Sequence, residues 1–415
     1  MSARRTWLAG SKSLPCLVVA AATLVAFSAC SSVKSGSAAT GNPGGGGGTV
    51  TNTLSLAVNP GPAANSVNTA FASVQVCVHA STTCQTISDV LVDTGSNGLR
   101  LLGSEVSVNL TAETDSSGNP LAECVQFADL SFAFGSVNIA DITLAGETAS
   151  SVPIQIISPS GFPAAPNTCN TGGKQLDSQA TLRANGILGV GLFVQDCGGP
   201  CATAPPPTNA YYSCVGQVCN PATVALASQL QNPVTLFSKD NNGVLISLPS
   251  VGASGAATLS GSLIFGIGTQ TNNGLGTAKV YTTDPAGNFT ATYSSTAYPQ
   301  SFVDSGSNAF FFLDSGTTGL AACAAPLAAF YCPNATANIM VTTTGLNANS
   351  TTVSFSIASA QSLITANPTF AAFGNLGGPF AGAFDFGLPF FYGRPVFTAI
   401  ENATTPGGTG PYFAY

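Results

Sequence analysis

Two short stretches of the chain repeat one another almost position for position: VDTGSNGL, from Val92 to Leu99, and VDSGSNAF, from Val303 to Phe310. Both run Val, Asp, a hydroxyl residue, Gly, Ser, Asn, then a small and an apolar residue. An internal repeat at this distance points to two related halves. The local chemistry is specific as well. An apolar strand carries each Asp to a sheet end, and the Gly lets the backbone turn so that amide N–H groups face the carboxylate. Two such loops related by a pseudo-twofold axis can bring two carboxylates within about 3 Å, where like charges cannot both ionise and one proton is shared.

A third triplet, in FFLDSGTTGL, centres on Asp314 and competes with Asp304 as partner of Asp93. The flanks favour Asp304, because they repeat those of Asp93. Tyr298-Pro299-Gln300 bounds the strand that enters the Asp304 loop, and AFFFL after it has the character of a buried strand leaving the loop. Asp314 falls at the far end of that strand, where an Asp-Ser-Gly turn or a helix cap is expected. The Ala-rich LAACAAPLAAFYC segment beyond it is expected to start a short helix.

The composition restricts the chemistry further. Only 7% of the 415 residues are charged, against about 25% in ordinary soluble chains. The surface is therefore largely Ser, Thr, Asn, Gln and Gly, as in secreted β-rich proteins. A net charge of −7 with no basic stripe excludes nucleic acid as a partner. Arg4, Arg5 and Lys12 precede an apolar run from Leu14 to Phe27, so residues 1–29 have the form of an export signal. FSAC then resembles a bacterial lipoprotein box with Cys30 as the lipidated residue, ordinary cleavage nearby being the alternative. Residues 30–50, ending in GNPGGGGG, form a flexible tether. These features place the protein in the cell envelope as an outer-membrane or other lipoprotein, or else as a secreted or periplasmic protein, with membrane contact only through the lipid anchor.

The other mature cysteines form an even set suited to disulfides in an oxidising compartment. Nearness in sequence pairs Cys77 with Cys84 and Cys323 with Cys332. Cys197, Cys201, Cys214 and Cys219 pair among themselves, which leaves Cys124 for Cys169. No histidine accompanies these cysteines, so no metal is expected. The single histidine, His79, lies between Cys77 and Cys84 on an expected hairpin tip, which leaves a Ser-His-Asp hydrolase little to work with. There is no phosphate-binding loop, dinucleotide fingerprint or helical zinc motif, and no cofactor is expected.

Several motifs, taken in order, resemble a pepsin-like aspartic peptidase, of a bacterial branch of the pepsin group, over nearly the whole mature chain. TISDVLVDTGSNGL resembles the first active loop and its strand. QFADLSFAFGSVNIADITLAG resembles the flap hairpin, ANGILGVG the support behind the first loop, and GSLIFGIG the strand opening the second lobe. SFVDSGSNAF resembles the second active loop, and DFGLPFFYGRPVFTAIE with the terminal GPYFAY the closing strands.

The resemblance implies an all-β, bilobal acid-protease fold, with two related six-stranded-type lobes at residues 51–232 and 233–415 and a cleft between them. It implies an exported aspartic endopeptidase, monomeric, acting on an extended peptide or protein. Asp93 and Asp304 would hold the catalytic water. Thr94 and Ser305 would form a hydroxyl network beneath them, Gly95 and Gly306 the tight loops, and Ser96 and Ser307 the hydrogen bonds that orient the carboxylates. Leu188–Gly189 and Phe386–Gly387 would support the loops. Phe127 falls where the family flap carries Tyr. Arg100 falls near a position often held by Trp, where it would either perturb the shared proton or point to solvent, the second being the expectation. These two departures motivate the rival reading, an inactive pepsin-fold envelope protein that binds a peptide or a protein partner. With so few charges, few paired carboxylates are lost to protonation, and an acidic optimum is expected.

Overall fold

Alternation of side chains builds most of the strands. In Ala70–Val78, Val74 and Val76 face inward while Ser73 and Gln75 face out. In Ala337–Thr344, Ile339, Val341 and Thr343 are buried and Met340 lies on the outer face. This period-two pattern, with β-branched residues on the inner face, is what a sheet covered on one side requires. The computed structural model describes residues 52–170, 172–203 and 209–415. The export signal, the tether and Cys30 lie outside the described residues.

Among the described residues the strands gather into a sheet of 16 strands, a second of seven and a two-stranded pair. Thr53–Val58, first among the described residues, pairs antiparallel with Leu259–Phe265, so an early strand is knitted to a strand of the later half. Each half repeats one three-strand unit. In the first, Cys84–Asp93 runs parallel to Gly186–Val190, and Asn97–Leu102 runs antiparallel to that same strand. In the second, Thr296–Val303 runs parallel to Phe380–Phe386, and Phe310–Leu313 runs antiparallel to it. The registers match too: Val92 lies opposite Leu188 as Val303 lies opposite Phe386. The repeat in the sequence is thus a repeat of topology.

The two halves fill their cores differently. Around the first unit the packing is aliphatic, with Val74, Val90, Val92, Leu99, Leu101, Ile154 and Leu188 all buried. Around the second it is aromatic: Phe312 stacks on Phe384 at 5.3 Å and Phe310 on Phe355 at 4.2 Å between ring centres.

Among the described residues, five disulfides join Cys77 to Cys84, Cys124 to Cys169, Cys197 to Cys201, Cys214 to Cys219, and Cys323 to Cys332. Two of them bridge directly opposed residues of hairpins, Cys77 with Cys84 and Cys214 with Cys219. Such bonds belong to an oxidising, exported location. No helix among the described residues is long and apolar enough to cross a membrane.

Two sequence-based expectations are corrected. Tyr298-Pro299-Gln300 does not bound the strand entering the Asp304 loop but lies within it, in Thr296–Val303. The Ala-rich segment after Asp314 does not form a helix: helical structure there is a single turn, Ser315–Thr318. Pro326 interrupts the Ala-rich run, the Cys323–Cys332 bond draws its ends together, and Ala322 bridges to Tyr331 as in a sheet. Proline and cross-linking outweigh alanine's helix propensity.

Candidate active site

The two loops meet face to face. A methyl group added to Gly95 would lie 2.5 Å from Cγ of Asp304, and one added to Gly306 would lie 2.5 Å from Oδ1 of Asp93. The latter point is also 3.1 Å from Oδ1 of Asp304, so both carboxylates look onto the same small space. Only glycine permits this approach from either side.

Each loop orients its own carboxylate. The Gly95 amide donates to Asp93 Oδ1 at 2.7 Å, and the Gly306 amide donates to Asp304 Oδ1 at 2.7 Å. The Ser96 hydroxyl donates to Asp93 Oδ2 at 2.5 Å, whereas Ser307 Oγ stands 3.2 Å from Asp304 Oδ2. Beneath the pair, the Thr94 amide donates to Ser305 Oγ at 3.0 Å and the Ser305 amide to Thr94 Oγ1 at 2.9 Å. The Ser305 hydroxyl in turn donates to the Val92 carbonyl at 2.8 Å. These buried reciprocal bonds clamp one loop to the other.

The supporting segments press from behind. Gly189 lies opposite Asp93 and Gly98, and a methyl on it would come within 2.7 Å of the Asn97 amide nitrogen. A methyl on Gly387 would strike the carbonyls of Ala309 and Ser307. The Leu388 amide donates to the Ser307 carbonyl at 2.7 Å, and the Gly191 amide to the Ser96 carbonyl at 2.9 Å. Asp93 is buried, while Gly95, Ser96, Asp304, Gly306 and Ser307 keep partial access to solvent.

Asp314 takes no part in this arrangement. It is exposed and caps the helical turn Ser315–Thr318, accepting the Thr317 amide at 2.7 Å. That bond holds its carboxyl below the ordinary range. His79 is a surface residue, with Nδ1 2.8 Å from Asp141 Oδ1. Phe127 opens the turn joining Leu121–Gln126 to Phe132–Leu144, its amide donating to the Ser131 carbonyl at 2.8 Å.

The expectation that Arg100 points to solvent is overturned: only 1% of its surface is exposed. Its guanidinium donates to Glu123 Oε1 at 2.5 Å, approaches Asp196 Oδ2 at 3.6 Å, and donates to the Asn97 carbonyl at 2.9 Å. Tyr211 completes the cluster by donating to Asp196 Oδ1 at 2.7 Å. Burial pushes the Glu123 carboxyl up, to about 8, with Asp196 adding to the shift and Arg100 opposing it. Arg100 is paired within the fold because a buried guanidinium requires carboxylate partners.

One residue near the dyad was missed in the sequence. Asp385 is buried, 5% exposed, and its Oδ2 lies 2.6 Å from Ser307 Oγ. The available signal was a lone carboxylate in the apolar run FDFG, immediately before the Phe386–Gly387 support.

Among the described residues no cluster of His, Cys, Asp or Glu could hold a metal. A surface hollow bordered by Cys332, Ser359 and Leu363 is lined by none of the loop residues.

Two β halves that each deliver an Asp-hydroxyl-Gly loop to a common point define the bilobal, pepsin-like class of fold. The chain belongs to a family of proteins of unknown function (DUF3443), whose family model matches residues 48–415. No curated protein sequence matches it. Among solved structures, it is similar to the aspartic proteinase from Irpex lacteus at 15% identity, over 87% of this chain and 96% of that chain, with a TM-score of 0.46.

Proposed function

We propose that the protein is an exported aspartic endopeptidase that hydrolyses peptide bonds with a water held between Asp93 and Asp304. The observation that carries this reading is the mutual approach of the loops, each glycine lying against the opposite carboxylate. One carboxylate takes a proton from the water as it attacks the peptide carbonyl, and the other gives a proton to the carbonyl oxygen. Thr94 and Ser305 hold the loops in register, while Ser96 and Ser307 keep the carboxylates aimed. The partial exposure of Asp304, Ser96 and Ser307 leaves this point open to an extended peptide. Phe127, in the turn of its hairpin, is assigned the role of apolar cover over the bound chain.

The folded protein, incubated with a peptide library between about pH 3 and 6, should cut it. A library left intact throughout that range would sink the proposal. Peptides retained without cleavage would support the rival reading as a binding protein. Arg100, which had motivated that rival, is occupied by Glu123 and Asp196.

A further inference from the structure

Matching the two three-strand units position by position isolates one difference beside the dyad. Leu91 lies opposite Ile187 in the first unit; at the same place in the second, Phe302 lies opposite Asp385. On the other side Arg100 lies opposite Ile187, and Phe311 lies opposite Asp385. Asp385 therefore stands where the first half has an isoleucine. The consequence falls on the serines. Ser96 has Asp93 as its carboxylate partner, at 2.5 Å. Ser307 lies between two carboxyls, 2.6 Å from Asp385 and 3.2 Å from Asp304.

A hydroxyl has one proton to donate. Ser307 can bond both carboxyls only if one of them carries a proton and donates it to Oγ. Burial disfavours the charged form, and Asp385 is more deeply buried than Asp304. We propose that Asp385 is a third carboxyl of the site, a positioning residue that acts on Asp304 through Ser307 and confines the pair to acid pH. In its protonated form Asp385 donates to Ser307 Oγ, and the Ser307 hydroxyl is directed to Asp304. When Asp385 releases its proton to solvent, its oxygen becomes the stronger acceptor. The 2.6 Å separation is within O–H···O bonding range for either direction of donation. Ser307 then turns toward Asp385, and Asp304 loses the bond that aims it. The titratable group facing Asp385 from the loop is Asp304, with Asp93 beyond it; the cross-strand neighbours Phe302 and Phe311 bring no charge.

This inference deepens the peptidase reading and rests on it, so the test has two readouts. The first is the pH profile of kcat/KM for wild type, Asp385→Asn and Asp385→Ile, each normalised to its own maximum, with folding checked by thermal unfolding. Neither variant can ionise at this position, so the alkaline limb should move up by about one pH unit or more. A limb unmoved or moved down in the folded variants overturns the inference, as does loss of cleavage at every pH in both. The second readout needs no activity: the infrared difference between wild type and Asp385→Asn. It should show a carboxylic-acid band at acid pH that gives way to carboxylate as the pH rises. A carboxylate signal throughout overturns the inference. A wild type that cuts nothing but shows the titrating band fails the peptidase reading instead and leaves the Asp385 assignment standing.

Discussion

The two loops are alike in backbone and unlike in what surrounds them. The Asp93 loop sits on aliphatic packing, its serine bonds Asp93, and Arg100, on the strand leaving the loop, is drawn away into a buried cluster with Glu123 and Asp196. The Asp304 loop sits on stacked phenylalanines, and the charged residue of its unit, Asp385, lies against the loop's own serine. A repeat therefore sets the geometry of both carboxylates, whereas unrepeated residues decide what each can do. The halves are equal as scaffolds and unequal as chemistry.

The bluntest way to break the comparison is to remove each acid. Asp93→Asn and Asp304→Asn should each lower the rate of peptide cleavage by about 10³-fold or more. A large loss from one alone would mean that the loops do not work as a pair. The buried cluster of the first half should matter chiefly to stability. Arg100→Met should cost about 3–5 kcal/mol in chemical denaturation, because it strands Glu123 and Asp196. The Glu123 carboxyl has its folded value raised from 4.5 to about 8, so its contribution is full below about pH 4.5 and fades as the pH rises toward 8. Thermal unfolding followed across that window should fall with rising pH in wild type and flatten in Glu123→Gln.

Smaller changes sharpen the contrast. Gly306→Ala should place a methyl against the Asp93 carboxylate and cost about 10²-fold in kcat, with Gly95→Ala doing the same to Asp304. Ser96→Ala should lower kcat/KM by about tenfold, the value of a hydrogen bond to a charged group. Ser307→Ala should cost less, because its bond to Asp304 is longer. Equal losses would remove the asymmetry argued from Asp385. Asp314→Asn should leave cleavage unchanged, with only a slight fall in melting temperature from the weakened cap.

Much of this was legible in the chain. The flanks of the Asp triplets separated Asp304 from Asp314, because a loop that must meet its twin repeats more than three residues. AFFFL was readable as a buried strand for the same reason that Phe310–Leu313 is one: a short apolar run between turn signals. What could not be read was register across distant strands. Arg100 looked like a surface cation because Glu123 and Asp196 reach it only after the Leu121–Gln126 strand and the segment following Val190 have folded around it. Asp385 looked like one more residue of a closing strand, since its contact with Ser307 spans 78 positions and depends on the parallel pairing with Phe302. The Ala-rich segment misled because local propensity cannot weigh a disulfide and a proline.

In the proposed enzyme, two loops from different halves make one site around one water. A crystal structure of the protein at acid pH tests it most directly. A single ordered water should lie within hydrogen-bonding reach of both Asp93 and Asp304. Carboxylates turned away from each other, or a side chain filling the space between them, would contradict it.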